Sequence, residues 1–174
     1  MTTIIQNRQS YRYVGYDYAT TGWYFITIRT ANFEPLFGEI KNGKMCLNKF
    51  GQIAYDEWLN TAKVRDNVTL EEFVVMPDHF HAIVTINFQK NYHNEIGVFR
   101  SASQTLGAIV RGYKGAVTTT LKIFAAEHKI DDLPIKIWQR NYYDRIIRDE
   151  QELYRIKKYI VDNPKNYIRK IDVL

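Results

Sequence analysis

Residues 70–86 constrain the fold more than any other stretch. Two strand-like runs, 70–76 and 79–86, are separated only by Pro77-Asp78. Proline and aspartate are turn formers for backbone reasons, so the segment reads as a β-hairpin. Side chains alternate faces along a strand. Phe80, Ala82, Val84 and Ile86 therefore share one face, which must be buried. His79 and His81 share the opposite face. Two imidazoles roughly 7 Å apart along one sheet face can grip one metal ion. A lone strand histidine is ordinarily structural, and this spacing by itself names no metal and no reaction.

The rest of the chain supplies partners for that hairpin. Residues 22–30 are aromatic and β-branched and predict a strand. Residues 37–48 predict a small hairpin turning at Asn42-Gly43, a pair suited to positive φ. A helix is expected from about Gly51, with Tyr55, Trp58, Leu59 and Ala62 on its apolar face. Residues 87–100 are polar and irregular and read as a loop. Ser101 is expected to open a long helix, with Gln104 completing a capping box. Its buried stripe is Leu106, Ile109, Val110, Tyr113, Val117, Leu121 and Phe124, interrupted by Gly107, Gly112 and Gly115. A strand lies within 135–147. Asp149 caps a last helix with Glu152 at its third position, and Pro164 stops it. Setting aside the small hairpin and the last helix, the order is βαββαβ. The expected class is α+β, a ferredoxin-like antiparallel sheet with an added hairpin near the N-terminus and an added C-terminal helix. Residues 1–174 read as one domain. That pattern alone licenses no function.

Charge narrows the partner. The chain carries 24 Lys+Arg and 19 Asp+Glu, a net +5. Residues 136–170 hold ten of those cations and five of the acids, so the whole excess lies there. It is interleaved with Trp138, Tyr142, Tyr143 and Tyr167, which could stack on unpaired bases. A basic, aromatic stretch predicts a polyanion surface, nucleic acid ahead of a merely solvated helix. Arg140, Arg145, Arg148, Lys157 and Lys158 are the candidate phosphate contacts. No apolar run is long enough to span a bilayer, and no secretory pattern opens the chain. The one cysteine, Cys46, permits no internal disulfide. A cytoplasmic setting is expected.

The last helix holds a second constellation. Leu153, Ile156 and Ile160 form its packing stripe, and Tyr159 and Asn163 lie one turn apart at the stripe's border. Tyr154 falls on the other flank. Taken alone, a boundary tyrosine and an asparagine before proline are ordinary. They become candidates only together with the histidines.

The combined set resembles the HUH single-tyrosine transposases. His79-Phe80-His81 matches the His-hydrophobic-His signature, with Val74-Val75-Met76-Pro77-Asp78 as lead-in. Arg8-Gln9-Ser10-Tyr11-Arg12, Tyr16-Asp17-Tyr18 and Gly22-Trp23-Tyr24-Phe25 are similar to the N-terminal signature of the branch associated with repetitive extragenic palindromes. The segments Trp138-Gln139-Arg140-Asn141-Tyr142-Tyr143-Asp144-Arg145 and Tyr159-Ile160-Val161-Asp162-Asn163-Pro164 resemble its C-terminal blocks. The resemblance implies an endonuclease and strand transferase that cleaves and rejoins single-stranded DNA near hairpins through a 5′-phosphotyrosine intermediate. It implies Tyr159 as nucleophile and His79, His81 and Asn163 as ligands of Mg²⁺ or Mn²⁺. It implies that Arg8, Arg12 and Tyr16 help recognise DNA beside the hairpin. Relatives include domain-sharing homodimers and monomers, so both states stand open, as does placement of the tyrosine in its own or a partner's site. Two other readings compete: a non-catalytic nucleic-acid-binding ferredoxin-like module, and a hydrolase whose nucleophile is a metal-bound water.

Overall fold

The computed structural model describes residues 17–88 and 105–167. Four strands form one sheet: β1 (Gly22–Arg29), β4 (Val68–Val75), β5 (His79–Ile86) and β6 (Tyr143–Ile147). Their order is β4-β5-β1-β6, and every neighbouring pair is antiparallel. Strands β2 (Gly38–Lys41) and β3 (Lys44–Leu47) make a separate hairpin. Helices α1 (Lys49–Lys63) and α2 (Leu106–His128) follow β3 and β5, and α3 (Glu150–Asp162) follows β6. This is the expected ferredoxin-like order with its two additions. No described helix is long and apolar enough to cross a membrane.

Alternation along the strands builds two cores, one on each side of the sheet. Tyr24, Ile26 and Ile28 of β1 and Phe80, Ala82, Val84 and Ile86 of β5 are buried with Trp58 of α1 and with Ile109, Tyr113, Val117 and Leu121 of α2. Phe80 is the aromatic hub, its ring 5.0 Å from Trp58 and 4.9 Å from Tyr113. The opposite face is smaller. There Phe25, Ile83, Ile147 and Ile160 are buried, with Trp23, Val74, Leu153 and Ile156 around them. Helix α3 covers this face, and its stripe is the one the spacing predicts. Each large apolar side chain so buried contributes about 1.5–3 kcal/mol.

The ends of α3 set its angle across the sheet. The Asp149 carboxylate accepts the Glu152 N–H at 2.7 Å, the expected cap. Glu152 is itself buried, and its carboxylate accepts the Arg148 N–H at 3.0 Å and pairs with Arg145 at 2.5 Å. These bonds tie the first turn of α3 back to β6. At the far end a 3₁₀ turn, Asn163–Asn166, with Pro164 as its second residue, ends the α-helix.

Four expectations are corrected. Helix α1 buries Gly51, Ala54, Trp58 and Thr61, while Tyr55 and Leu59 are exposed. The buried face is rotated because Tyr55 packs on Phe73 at the sheet edge, ring centroids 5.0 Å apart, rather than beneath the sheet. Helix α2 begins at Leu106 with Thr105 as its cap, whose hydroxyl accepts the Ala108 N–H. The Ser101–Gln104 box and most of the 87–100 loop lie outside the described residues. Trp138 is buried against Phe37 and Tyr113, so its ring is core and offers no stacking face. The second strand run begins at Val68 rather than Leu70 and carries a register shift between Leu70 and Phe73.

Two glycine positions are explained by geometry. Asn42 and Gly43 have φ of 51° and 70°, the mirror-image turn that a two-residue hairpin needs. A Cβ at Gly112 would lie 2.7 Å from an Arg65 nitrogen, so its bareness lets Arg65 reach the Ala108 carbonyl of α2.

Candidate active site

His79 and His81 sit on a central strand, facing away from Phe80 as the alternation requires. The strand's entry is fixed first. The Asp78 carbonyl accepts both the N–H and the hydroxyl of Thr30, each at 2.9 Å, and Met76 N–H bonds to the His79 carbonyl at 2.8 Å. The turn Pro77-Asp78 is thereby anchored to the end of β1, and His79 leaves it in a defined direction.

Both imidazoles are oriented through Nδ1. His79 Nδ1 lies 2.6 Å from Asp78 Oδ1. Burial pushes the Asp78 carboxyl up, but hydrogen bonds from His79, its own backbone and Tyr167 outweigh it and hold the carboxyl below its ordinary value. The carboxylate thus accepts the His79 Nδ1–H. His81 Nδ1 lies 2.8 Å from the hydroxyl of Thr27, its cross-strand partner on β1. His81 is 5% exposed. Burial, then the nearby charges of His79 and Arg29, pushes its pKa down to about 3. At neutral pH His81 is uncharged. Two tautomers satisfy its contacts; the one protonated on Nδ1 leaves the Nε2 lone pair facing outward. The two ring centroids are 4.6 Å apart.

Tyr159 of α3 stands over this pair. Its hydroxyl is 3.3 Å from His81 Nε2 within the same chain. Its ring meets Phe25 edge-on at 6.1 Å, and Phe25 stacks on His81 at 5.3 Å. The position follows from packing: Ile160, the next residue, is buried beneath α3 in the small core, which turns Tyr159 to the border with half its surface in solvent. Asn163, one turn on, is 8% exposed and lines the same cleft. That cleft has a volume of about 710 Å³ and is bounded by β1, β5, the segment before β6, and the end of α3.

The residues fit a divalent cation. With both Nδ1 atoms engaged, the two Nε2 atoms are the ones a cation would use, that of His81 lying beside the Tyr159 hydroxyl, and each ring is backed by an oxygen partner, the arrangement that orients histidine ligands. Asn163 lines the same cleft, and its amide oxygen would be the harder donor beside them. Among the described residues no cluster of three or more His, Cys, Asp or Glu could hold a metal.

The candidate phosphate contacts separate. Arg140, Arg148 and Lys158 are exposed. Lys157 instead lies between Glu71 and Glu72 of β4, at 2.7 and 2.9 Å, and Arg145 is paired with Glu152. Their charges are partly spent inside the fold, a pairing across elements that helix spacing could not reveal. Arg8, Arg12 and Tyr16 lie outside the described residues. Sequence reasoning passed over Thr27, Asp78, Gln139 and Asn141, all of which line the cleft. Asp78 was visible as a turn residue beside His79, whereas Thr27 required the strand register.

No family model matches the chain. It is 38% identical over 168 residues to an uncharacterized protein of Haemophilus influenzae, covering 92% of this chain and 89% of that one. Among solved structures it is similar to a REP-associated tyrosine transposase bound to a REP hairpin, with TM-score 0.59 and 17% identity, over 91% of this chain and 73% of that one. It is also similar to a putative transposase from Deinococcus radiodurans, with TM-score 0.50 and 16% identity, over 88% and 96% of the two chains.

Proposed function

A chain that belongs to the family of the Haemophilus influenzae protein, and that has the fold of the tyrosine transposases, acts, we propose, as a metal-dependent endonuclease and strand transferase on single-stranded DNA near hairpins. The observation that carries this reading is the meeting of Tyr159 with His81 at 3.3 Å inside one cleft of one chain. That contact brings a phenol bonded to one of the two imidazoles into the same cleft as Asn163.

Tyr159 is the nucleophile. Its oxygen forms a bond to the scissile phosphorus as the bond from phosphorus to the 3′ oxygen breaks. The phenol gives up one proton and the departing oxygen gains one, so a 5′-phosphotyrosine and a free 3′-OH result. The phosphodiester is exchanged rather than hydrolysed, and a second 3′-OH can reverse the step without an external energy source. Free tyrosine has a pKa of about 10, so attack near neutral pH needs a positive field at the oxygen. Mg²⁺ or Mn²⁺, held by His79, His81 and Asn163 together with phosphate oxygens, would supply that field and offset charge on the leaving oxygen. Thr27 and Asp78 hold the two imidazoles in place. Phe25 packs beneath Tyr159 and keeps water from that side of the ring. Arg140, Arg148 and Lys158 hold the strand's phosphates outside the cleft.

The test is incubation with Mn²⁺ and single-stranded DNA from the gene's flanks, followed by a denaturing gel. A covalent protein–DNA band that EDTA abolishes is expected. Binding of hairpin DNA without any such band would favour a non-catalytic binding module, and free 5′-phosphate ends without an adduct would favour a metal-bound water as nucleophile.

A further inference from the structure

One wall of the cleft has no part in the chemistry above. It is made by Gln139, Asn141 and Tyr143. Tyr143 is the first residue of β6 and pairs with Thr27, so its side chain stands on the histidine face of the sheet. Its ring meets Phe25 edge-on at 6.3 Å and remains 49% exposed. Phe25 is in turn stacked on His81, so Tyr143 lies one aromatic ring away from the reacting centre.

The backbone before Tyr143 is rigidly held. Trp138 bridges to Thr30 and is buried. The Gln139 N–H donates to the Arg29 carbonyl at 2.9 Å. Lys114 of α2 donates to the carbonyls of Gln139 and Arg140, at 2.6 and 3.1 Å. The loop's main chain is thus satisfied, while neither the Gln139 nor the Asn141 amide group has a hydrogen-bond partner among the described residues. Two amides without such a partner, on a fixed frame beside an exposed aromatic face and a cleft, are available to a ligand.

Its chemistry selects the ligand. Amides and a phenol can donate to a phosphate oxygen as well as to a base, but a phosphate has no use for the half-exposed Tyr143 ring beside them. A phenol ring can stack on a base, and an amide presents one donor and one acceptor in a fixed plane. Of the base edges, adenine's N6 and N7 are the pair that Asn and Gln most often read. A concave site admits a base only when it is splayed from its stack. We propose that Gln139, Asn141 and Tyr143 form a reading pocket for one unpaired adenine next to the scissile phosphate. Tyr143 stacks on it and the amides read its edge. The proposal deepens the strand-transferase reading and rests on it.

The test separates the two. The full chain with Tyr159→Phe, which needs no chemistry, is mixed with single strands whose nucleotides on both sides of a fixed hairpin are randomised, and the bound strands are sequenced. One flanking position should show adenine enriched by about 5- to 150-fold, the discrimination that a good paired contact provides. Adding Gln139→Ala and Asn141→Ala should remove that enrichment while hairpin binding persists. Gln139→Glu, which keeps size and shape, should turn the preference toward cytosine, whose N4 donates to a carboxylate. Tyr143→Ala should weaken binding whatever the base, and Tyr143→Phe should restore it. The pocket is refuted by the absence of flanking enrichment, by enrichment of another base in the parent, or by an adenine preference that survives the amide variants. An adduct formed by the native chain with equal yield on every flank would likewise remove the pocket and leave the strand transferase intact.

Discussion

Replacing Thr27 by valine isolates what the second strand contributes to the histidine pair. The substitution conserves volume and leaves β1 its β-branched character, but deletes the hydroxyl 2.8 Å from His81 Nδ1. Both residues are buried, Thr27 at 8% and His81 at 5% exposure, so solvent does not readily replace the lost partner. An unpaired buried donor costs about 1–3 kcal/mol. Loss of the group that orients a histidine ligand typically weakens metal affinity about 10- to 100-fold. Two measurements follow. Urea denaturation should show Thr27→Val less stable by that amount, and Thr27→Ser close to the parent. The Mn²⁺ concentration giving half-maximal adduct with hairpin DNA should rise about 10- to 100-fold and be overcome by excess Mn²⁺. If stability falls but the Mn²⁺ requirement does not move, the Thr27–His81 bond is only structural and the orienting role assigned to it is wrong.

Other perturbations probe separate parts of the account. Because the folded pKa of His81 lies near 3 against 6.5 for a free histidine, the unfolded chain binds a proton in that window that the folded chain refuses. Stability should therefore be held above about pH 6.5 and decline on acidification toward pH 3, and His81→Gln should flatten the fall in urea midpoint between pH 7 and 4.5. Asp149→Ala removes the cap of α3 and should cost about 0.5–2 kcal/mol in thermal denaturation. Arg148→Ala and Lys158→Ala should each lower the slope of log affinity against log salt for single strands by about 0.7, and Lys157→Ala by less, since Glu71 and Glu72 already hold its charge.

Local periodicity carried much of this structure into view from residues alone. The alternation through His79 to Ile86, the Asn42-Gly43 turn and the Asp149 cap each depend on neighbours a few residues apart, and each lies where its pattern indicates. The stripe of α3 was legible for the same reason, and with it the border position of Tyr159 and Asn163. What local patterns could not carry is which groups meet across elements. The Thr27 hydroxyl is 54 positions from His81, and only the β1–β5 register joins them. Trp138 looked like a stacking residue because its neighbours are basic, yet its indole fills a gap between Phe37 and Tyr113. Lys157 and Lys158 are adjacent and alike in sequence, but one helix position separates a lysine clasped by two β4 carboxylates from an exposed one. The turn of α1 was misjudged by one residue for a related reason: Tyr55 and Ala54 are both apolar, and the sheet edge decides which is covered.

The most direct trial of the whole account is mass spectrometry of the chain after reaction with Mn²⁺ and a hairpin-bearing single strand, digested by nuclease and protease. The account predicts a nucleotide joined through its 5′-phosphate to the peptide containing Tyr159, absent in Tyr159→Phe. A nucleotide found instead on Tyr142, Tyr143 or Tyr167, or cleaved DNA with no modified tyrosine at all, would contradict it.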